Sequence, residues 1–439
     1  MFLNAAVQVV LNLTDTWFVS HLSTTATAAI GAVYFLVMVF ILLFGGIGMG
    51  AQTLVAQAWG AGDAAAATRF TWAAIWASLA SLPLLWWIGD LGPALLAPFA
   101  LEPAIARDAL AFWGPRLHGG VLAVLLFVFS SFYNGIGRPR ITLAIMVLTA
   151  LANAVLNAVL IRGMGLGIAG SAMATSAAQG IGAALGFAAF LFANPAGAQA
   201  ARRLWRPHLA DLRRVFAIGV PTGLFPAVDV TGFALFQMMM ASLGVVDGAA
   251  TQLVMMLTSV AYLPAIGIGL AGTTLVGQSI GAGEPAWAMR LGTRIIGLGV
   301  LYMGGLGVLF ALAGHPLLAF FLAPDMPQAR VTLQLAERLL WIAAAYQLFD
   351  AVNLCSAFCL RGAGDVRWPT LYLLLASWLV FMPLTHALSF APGHGYVAFL
   401  PQLGWGAAGG WTAALVYILL LAVILFARWR SGAWQHIRV

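Results

Sequence analysis

Twelve long apolar runs, separated by short connectors rich in glycine, proline and arginine, occupy nearly all of this 439-residue chain. They fall near 2–20, 29–55, 70–91, 109–134, 141–160, 168–192, 215–242, 250–276, 289–313, 332–360, 369–390 and 406–427. Each is long enough to cross a hydrocarbon layer as a tilted helix, which takes about 20 residues. None alternates apolar and polar residues as the strands of a membrane barrel do. Charged residues make up only 8% of the chain, too few to cover a water-soluble surface. The expected fold class is therefore an all-α polytopic membrane protein with twelve transmembrane helices.

The charges that remain are placed unevenly. All 20 residues counted as Lys or Arg are Arg. Connectors after even-numbered runs, with the C-terminus, hold 15 of them, from Arg69, Arg138 and Arg140 through Arg202, Arg203 and Arg206 to Arg428, Arg430 and Arg438. Connectors after odd-numbered runs hold only Arg107, Arg162 and Arg330, while Arg116 and Arg338 fall inside or at the start of helices. By the positive-inside rule both termini are expected in the cytoplasm. A net charge of +7 would suit nucleic acid only if gathered in a patch, so no nucleic-acid partner is expected. Two cysteines exclude a disulfide framework. With the first Arg at Arg69, no secretory signal is expected.

The chain is also duplicated. Residues 46–69 read GIGMGAQTLVAQAWGAGDAAAATR and residues 267–290 read GIGLAGTTLVGQSIGAGEPAWAMR, identical at 13 of 24 positions. Weaker echoes follow in the same order. Arg116-Leu117 answers Arg338-Leu339, Gly135-x-Gly137 answers Gly362-x-Gly364, and Gly167-x-Ala-Gly170 answers Gly406-x-Ala-Gly409. Repeats in one order on one membrane side imply two pseudo-symmetric six-helix bundles around a central cavity, an architecture of secondary transporters. The expected organisation is an N-terminal lobe over 1–193, a basic cytoplasmic linker over 194–214 and a C-terminal lobe over 215–439. The glycines fit close helix packing and turns better than a phosphate-binding loop, which needs a preceding strand.

Polar residues at helical spacing mark a pathway through the apolar runs. The first run carries Asn4, Gln8, Asn12 and Asp15 within an arc of about 80°. The fifth carries Thr149, Asn153 and Asn157, and the sixth Ser171, Thr175 and Gln179, each four apart. The tenth carries Tyr346, Asp350 and Asn353; the seventh carries Thr222 and Asp229, with Pro221 and Pro226 expected to bend it. Single hydroxyls in such places usually bond helix to helix. Carboxylates differ, because a charge at the bilayer centre costs at least about 2.5–3.5 kcal/mol. Asp15, Asp229 and Asp350 are the deep acids and the functional candidates. A carboxyl withdrawn from water can hold a proton or a monovalent cation, so one such site can exchange H+ or Na+ against a cationic substrate. Gln8, Asn12, Gln179 and Asn353 are the candidates for lining the substrate cavity.

Other residues point nowhere in particular. Cys355 and Cys359 share a face of the tenth run but lack further ligands, and the seven His show no paired spacing. No nucleophile-base constellation can be picked out, so no enzyme is expected and no cofactor beyond the coupling ion. Trp and Phe read as interface anchors and packing residues.

These motifs together resemble the multidrug and toxic compound extrusion family, in its NorM-like branch. They are Val10-Leu-Asn-Leu-Thr-Asp15-Thr-Trp-Phe-Val-Ser, the duplicated GxGxxxxTLVxQxxGAG segments, Gly219-Val-Pro-Thr-Gly before Asp229-Val-Thr, and Tyr346-Gln-Leu-Phe-Asp350-Ala followed by Leu360-Arg-Gly-Ala-Gly-Asp365. The resemblance implies a monomer that exports small organic cations in exchange for H+ or Na+ by rocking between inward- and outward-open states. It implies an N-lobe ion site at Asp15, Asn153, Asn157 and Thr175, or a C-lobe site at Asp229 and Asp350 with Tyr346 one turn before. Na+ is expected at Asp229 and Asp350, or at Asp15, Asn153 and Asn157. Asn157 departs from the family, which often has Asp there, and Asp229 stands where Glu is commoner. Family members usually carry some twenty more residues before the first acid, which leaves a start upstream of Met1 open. A flippase for lipid-linked sugars is the alternative within the superfamily. Its pyrophosphate cargo calls for central arginines, whereas here the deep charges are acidic and the arginines are expected at helix ends.

Overall fold

The computed structural model describes residues 2–99, 101–321 and 328–437, without the side chains of 2, 4–6, 8–10, 12, 24, 320 and 321. The expected cavity residues Gln8 and Asn12 lie outside the described side chains. Every regular element among the described residues is helical. In the first half these are α1 (Phe2–Ser20), α2 (Thr24–Gly60), α3 (Ala64–Asp90), α4 (Pro103–His118 with Gly120–Gly135), α5 (Pro139–Gly163) and α6 (Gly167–Phe192). The second half has α7 (Leu209–Leu243), α8 (Val245–Gly281), α9 (Pro285–Leu312), α10 (Ala329–Gly362), α11 (Arg367–Ser389) and α12 (Gly406–Ser431). Short helices fill some connectors, Ala198–Arg203 in the basic linker and Gly314–Phe321 after α9.

Ten helices among the described residues are long and apolar enough to cross a membrane, eleven when the two parts of α4, bent by 46°, count as one span. The twelfth expected span, α1, is 19 residues long and interrupted by polar side chains. Among the described residues eleven units meet that measure of length and apolarity, and α1 stands beside them as a twelfth helix. Several helices outrun the apolar runs, α2 and α8 reaching 37 residues each, because their glycine- and glutamine-bearing ends keep the helical spacing after the apolar run ends. α7 continues as one element through Pro221 and Pro226.

The duplication is repeated in backbone geometry. Gly62 and Gly283, at φ 77° and 78°, turn the chain after α2 and α8, a conformation only glycine adopts without strain. The N–H of Asp63 then reaches the Ala58 carbonyl at 3.0 Å, and that of Glu284 reaches Ser279 at 2.9 Å. Asp63 also caps α3 by accepting from the Ala66 N–H at 2.7 Å. After α4 and α10, Gly137 and Gly364 adopt φ 74° and 85°, and Arg138 and Asp365 close equivalent turns onto Tyr133 and Leu360.

Buried apolar residues divide along the sequence. One cluster centred on Phe129, Phe132 and Phe190 and another on Val37, Trp113 and Leu117 belong almost wholly to the first half. Clusters around Phe236, Phe381 and Tyr417 and around Cys355, Cys359 and Trp429 belong to the second. Glycines bring the halves together. A Cβ on Gly46 would lie 2.2 Å from the Gly223 Cα, and one on Gly223 would lie 2.1 Å from the Leu43 carbonyl oxygen. α2 and α7 thus touch backbone to backbone, as small residues permit.

Candidate functional site

The four-residue spacings converge as helical geometry requires. α5 turns Asn153 and Asn157 to one side, α6 turns Thr175 to the same place, and α1 brings Asp15 between them. Asp15 Oδ1 accepts from Asn153 Nδ2 at 2.9 Å and from Asn157 Nδ2 at 2.7 Å, and Oδ2 accepts from the Thr175 hydroxyl at 2.7 Å. Asn157 is braced by the Asn153 carbonyl at 3.0 Å. Immediately after Asn157 the helix widens into a π-turn over Ala158–Gly163, a distortion that recurs at functional positions. Arg162 in that turn stacks over Trp17 and Phe18 at 5.2 and 5.3 Å, pinning the end of α1 beside Asp15.

This cluster lies near a charge to which the sequence reading gave no role. Arg116 lies in the last turn of the first part of α4 and is only 7% exposed. Its Nη1 donates to Gln179 Oε1 at 3.1 Å, and its positive charge acts on Asp15 and on Tyr34. Gln179, an expected cavity residue, is thus committed to Arg116. Arg116 stands in the last turn before the bend at Gly119, yet it is buried there with Gln179 as its partner, unlike the arginines of the connectors.

The second half brings together a different set. Asp229 of α7 is partly buried and acts electrostatically with Tyr417 of α12, whose hydroxyl is paired with Ser377 Oγ at 3.1 Å. Asp350 of α10 is 4% exposed and accepts from Asn353 Nδ2 at 3.3 Å, leaving Asn353 Oδ1 buried without a partner. Each aspartate lies within electrostatic reach of Tyr262, Tyr346 and Tyr417, and Asp229 acts on Asp350. Neither acid is among the ion pairs of the described residues. A π-turn at Ser377–Phe381 lies alongside. The site is walled by aromatic rings: Phe381 stacks on Tyr417 at 4.7 Å, and Tyr346 meets Phe233 and Trp411 edge-on at 6.3 and 6.4 Å.

All seven proposed coupling residues therefore fall into two groups, Asp15, Asn153, Asn157 and Thr175 in one half and Asp229, Tyr346 and Asp350 in the other. Arg116, Tyr262 and Tyr417 were missed. Arg116 carried a usable signal, a lone charge inside a long apolar run and answered by Arg338 in the repeat. The tyrosines carried none, being indistinguishable in sequence from packing residues. Among the described residues no three His, Cys, Asp or Glu side chains converge as a metal cluster.

The MatE family model matches residues 1–159 and 221–386, which include Asp15, Asp229 and Asp350. The chain belongs to the MatE family. Its relatives include a probable multidrug resistance protein NorM of Pseudomonas aeruginosa, 32% identical, with the match covering 94% of this chain and 85% of that one. Another of that name from Rhizobium meliloti is 27% identical over 96% of this chain and 89% of its own. Among solved structures, a MOP-superfamily transporter from Pyrococcus furiosus, described as having a binding pocket of reversed polarity, superposes with a TM-score of 0.86. It is 18% identical and is matched over 98% of this chain and 93% of its own. A MATE crystal structure in a straight conformation gives 0.84 at the same identity and coverage. At that identity the likeness is one of fold, which in this MatE chain is the membrane-spanning helical fold.

Proposed function

We propose that this MatE chain is a secondary antiporter that exports cationic amphipathic compounds in exchange for H+ or Na+, with coupling seated at Asp229 and Asp350. The observation that carries the reading is the contrast between the two acid clusters. Asp15 receives three hydrogen bonds and has the buried Arg116 charge acting on it, so its oxygens are already partnered by this chain's own groups. Asp229 and Asp350 act on each other in an apolar, aromatic-walled interior and form no ion pair among the described residues. Two like charges so placed favour uptake of a proton, which neutralises one of them, or of a cation, which lets both stay ionised. Oxygen atoms for a monovalent cation are at hand in the two carboxylates and in Asn353 Oδ1. A cationic substrate arriving at the same acids would displace the ion by competing for its charge, while the membrane potential adds about 2.3 kcal/mol per charge per 100 mV.

Alternating access between two lobes, 1–193 and 215–439, joined by 194–214, supplies the movement. The arginine-rich helix ends face the cytoplasm in this reading, and both termini lie there. The protein works as a monomer in the bacterial inner membrane and carries out no chemical step. The test is uptake of a fluorescent organic cation into proteoliposomes under an imposed pH or Na+ gradient. Gradient-driven uptake is expected, and uptake indifferent to both gradients would overturn the reading.

A further inference from the structure

The two duplicated segments hold one another at the arginine-rich end through a reciprocal set of bonds. Thr53 and Gln57 of α2 correspond in the repeat to Thr274 and Gln278 of α8, and Asn134-Gly135 at the end of α4 corresponds to Arg361-Gly362 at the end of α10. Thr53 Oγ1 donates to the Arg361 carbonyl at 2.8 Å and Thr274 Oγ1 to the Asn134 carbonyl at 3.1 Å. Gln57 Nε2 donates to the Gly362 carbonyl at 3.0 Å and Gln278 Nε2 to the Gly135 carbonyl at 2.8 Å. All four bonds cross from one half to the other. Glycine makes the approach possible, since a Cβ on Gly60 would sit 2.0 Å from the Gln278 carbonyl oxygen and one on Gly281 would sit 1.9 Å from that of Gln57.

The acceptors are the last carbonyls of two helices; those of Asn134 and Arg361 also accept from the Gly137 and Gly364 N–H groups of the following turns, while those of Gly135 and Gly362 take the glutamine amides. Water can take the place of each glutamine or threonine when the halves separate, so the bonds are made and released at small net cost. The same interface holds an opposing element. Arg361 Nε and Nη2 are buried with no hydrogen-bond partner, the guanidinium lying 4.3 Å over the Phe358 ring. The carbonyl that Thr53 binds belongs to this same residue, so loosening of the halves there would give the guanidinium room to find partners.

We propose that Thr53, Gln57, Thr274 and Gln278 are positioning residues that latch the transporter shut on its arginine-rich side, with Arg361 as the group that favours release. The inference rests on the alternating-access reading and adds to it which residues set the balance between the two states. It treats the two halves as equal contributors, which gives it a quantitative signature.

The test uses the full-length protein in lipid nanodiscs with nitroxide labels on Arg140→Cys and Arg290→Cys, exposed positions on opposite halves; Cys355 and Cys359 are buried and escape labelling. Pulsed electron resonance reads the populations of short and long distances. Gln57→Leu and Gln278→Leu are each expected to raise the long-to-short ratio several-fold and to the same extent, and together by about tenfold, the effect of losing ordinary hydrogen bonds. Thr53→Val and Thr274→Val, which barely alter volume, shift it in the same direction. Arg361→Met in the double glutamine variant restores the short distance. Ratios unmoved by these substitutions, in a protein whose distances do respond to ion or substrate, would overturn the latch while leaving alternating access standing. A parent protein with one distance under every ion and substrate condition would overturn alternating access itself.

Discussion

Arg116 and Asp15 occupy the interior of the same half, the guanidinium fixed to Gln179 at 3.1 Å and its charge acting on the carboxylate. The pairing is electrostatic at a distance, since the two form no ion pair within 4.0 Å. Removing one member leaves the other as an uncompensated interior charge. Arg116→Met is therefore expected to lower stability by about 1–3 kcal/mol, the size of a near-surface to interior charge interaction. Adding Asp15→Asn should recover part of that loss. Thermal unfolding in detergent checks both, and strictly additive losses would contradict the coupling.

Asn157 lies 2.7 Å from Asp15 Oδ1 and donates to it. Asn157→Asp would replace that bond by two carboxylates sharing one site, which cannot both ionise. The variant should bind one more proton than its parent near neutral pH and lose stability relative to it as pH rises. Proton uptake on folding, or unfolding temperature followed against pH, reads the change. A pH profile identical to the parent's would show that Arg116 alone can carry both charges.

Outside the membrane-spanning segments, Asp365 is 2% exposed and bound to Arg428 Nε at 2.6 Å. Burial holds its carboxyl above the ordinary carboxylate range, against the pull of Arg428. Arg428→Gln removes that pull and should cost about 3 kcal/mol at neutral pH. Because the folded-state value then lies still further above the unfolded one, the deficit is smallest in acid, where Asp365 is protonated in both states, and grows as pH rises. Unfolding measured at several pH values tests the sign.

Gly46 and Gly223 set the spacing of α2 and α7. Gly223→Ala places a methyl group against the Leu43 carbonyl, inside any tolerable distance. The backbone must shift, at a cost of about 1–3 kcal/mol. Gly297→Ala, where a Cβ would meet nothing within 4 Å, is the control and should be neutral or slightly stabilising in its helix.

Much of this was readable from the chain because the physics involved is local. The turns at Gly62 and Gly283 announce themselves, since the same glycine stands at the same place twice. The Asp15 cluster follows from four-residue spacing, and Asp229 and Asp350 from the expense of charge in hydrocarbon. What escaped depends on contacts between distant segments. Tyr417 becomes part of the site only because α12 packs beside α7. The interior position of Arg116 depends on the bend at Gly119 and on Gln179 from α6. Gln57 and Gln278 stood in the repeated motif, but the carbonyls they bind belong to other helices of the opposite half. The length of α1 was legible, and its polar residues set it apart from the eleven more apolar units among the described residues.

The central claim is that coupling resides at Asp229 and Asp350, with Asp15 charge-compensated by Arg116. The direct measurement is gradient-driven uptake of a fluorescent organic cation into proteoliposomes containing Asp350→Asn, Asp229→Asn or Asp15→Asn. The account predicts that either C-terminal-half variant abolishes the response to the pH or Na+ gradient, while Asp15→Asn keeps it at a reduced rate. Full coupling in Asp350→Asn together with its loss in Asp15→Asn would contradict it.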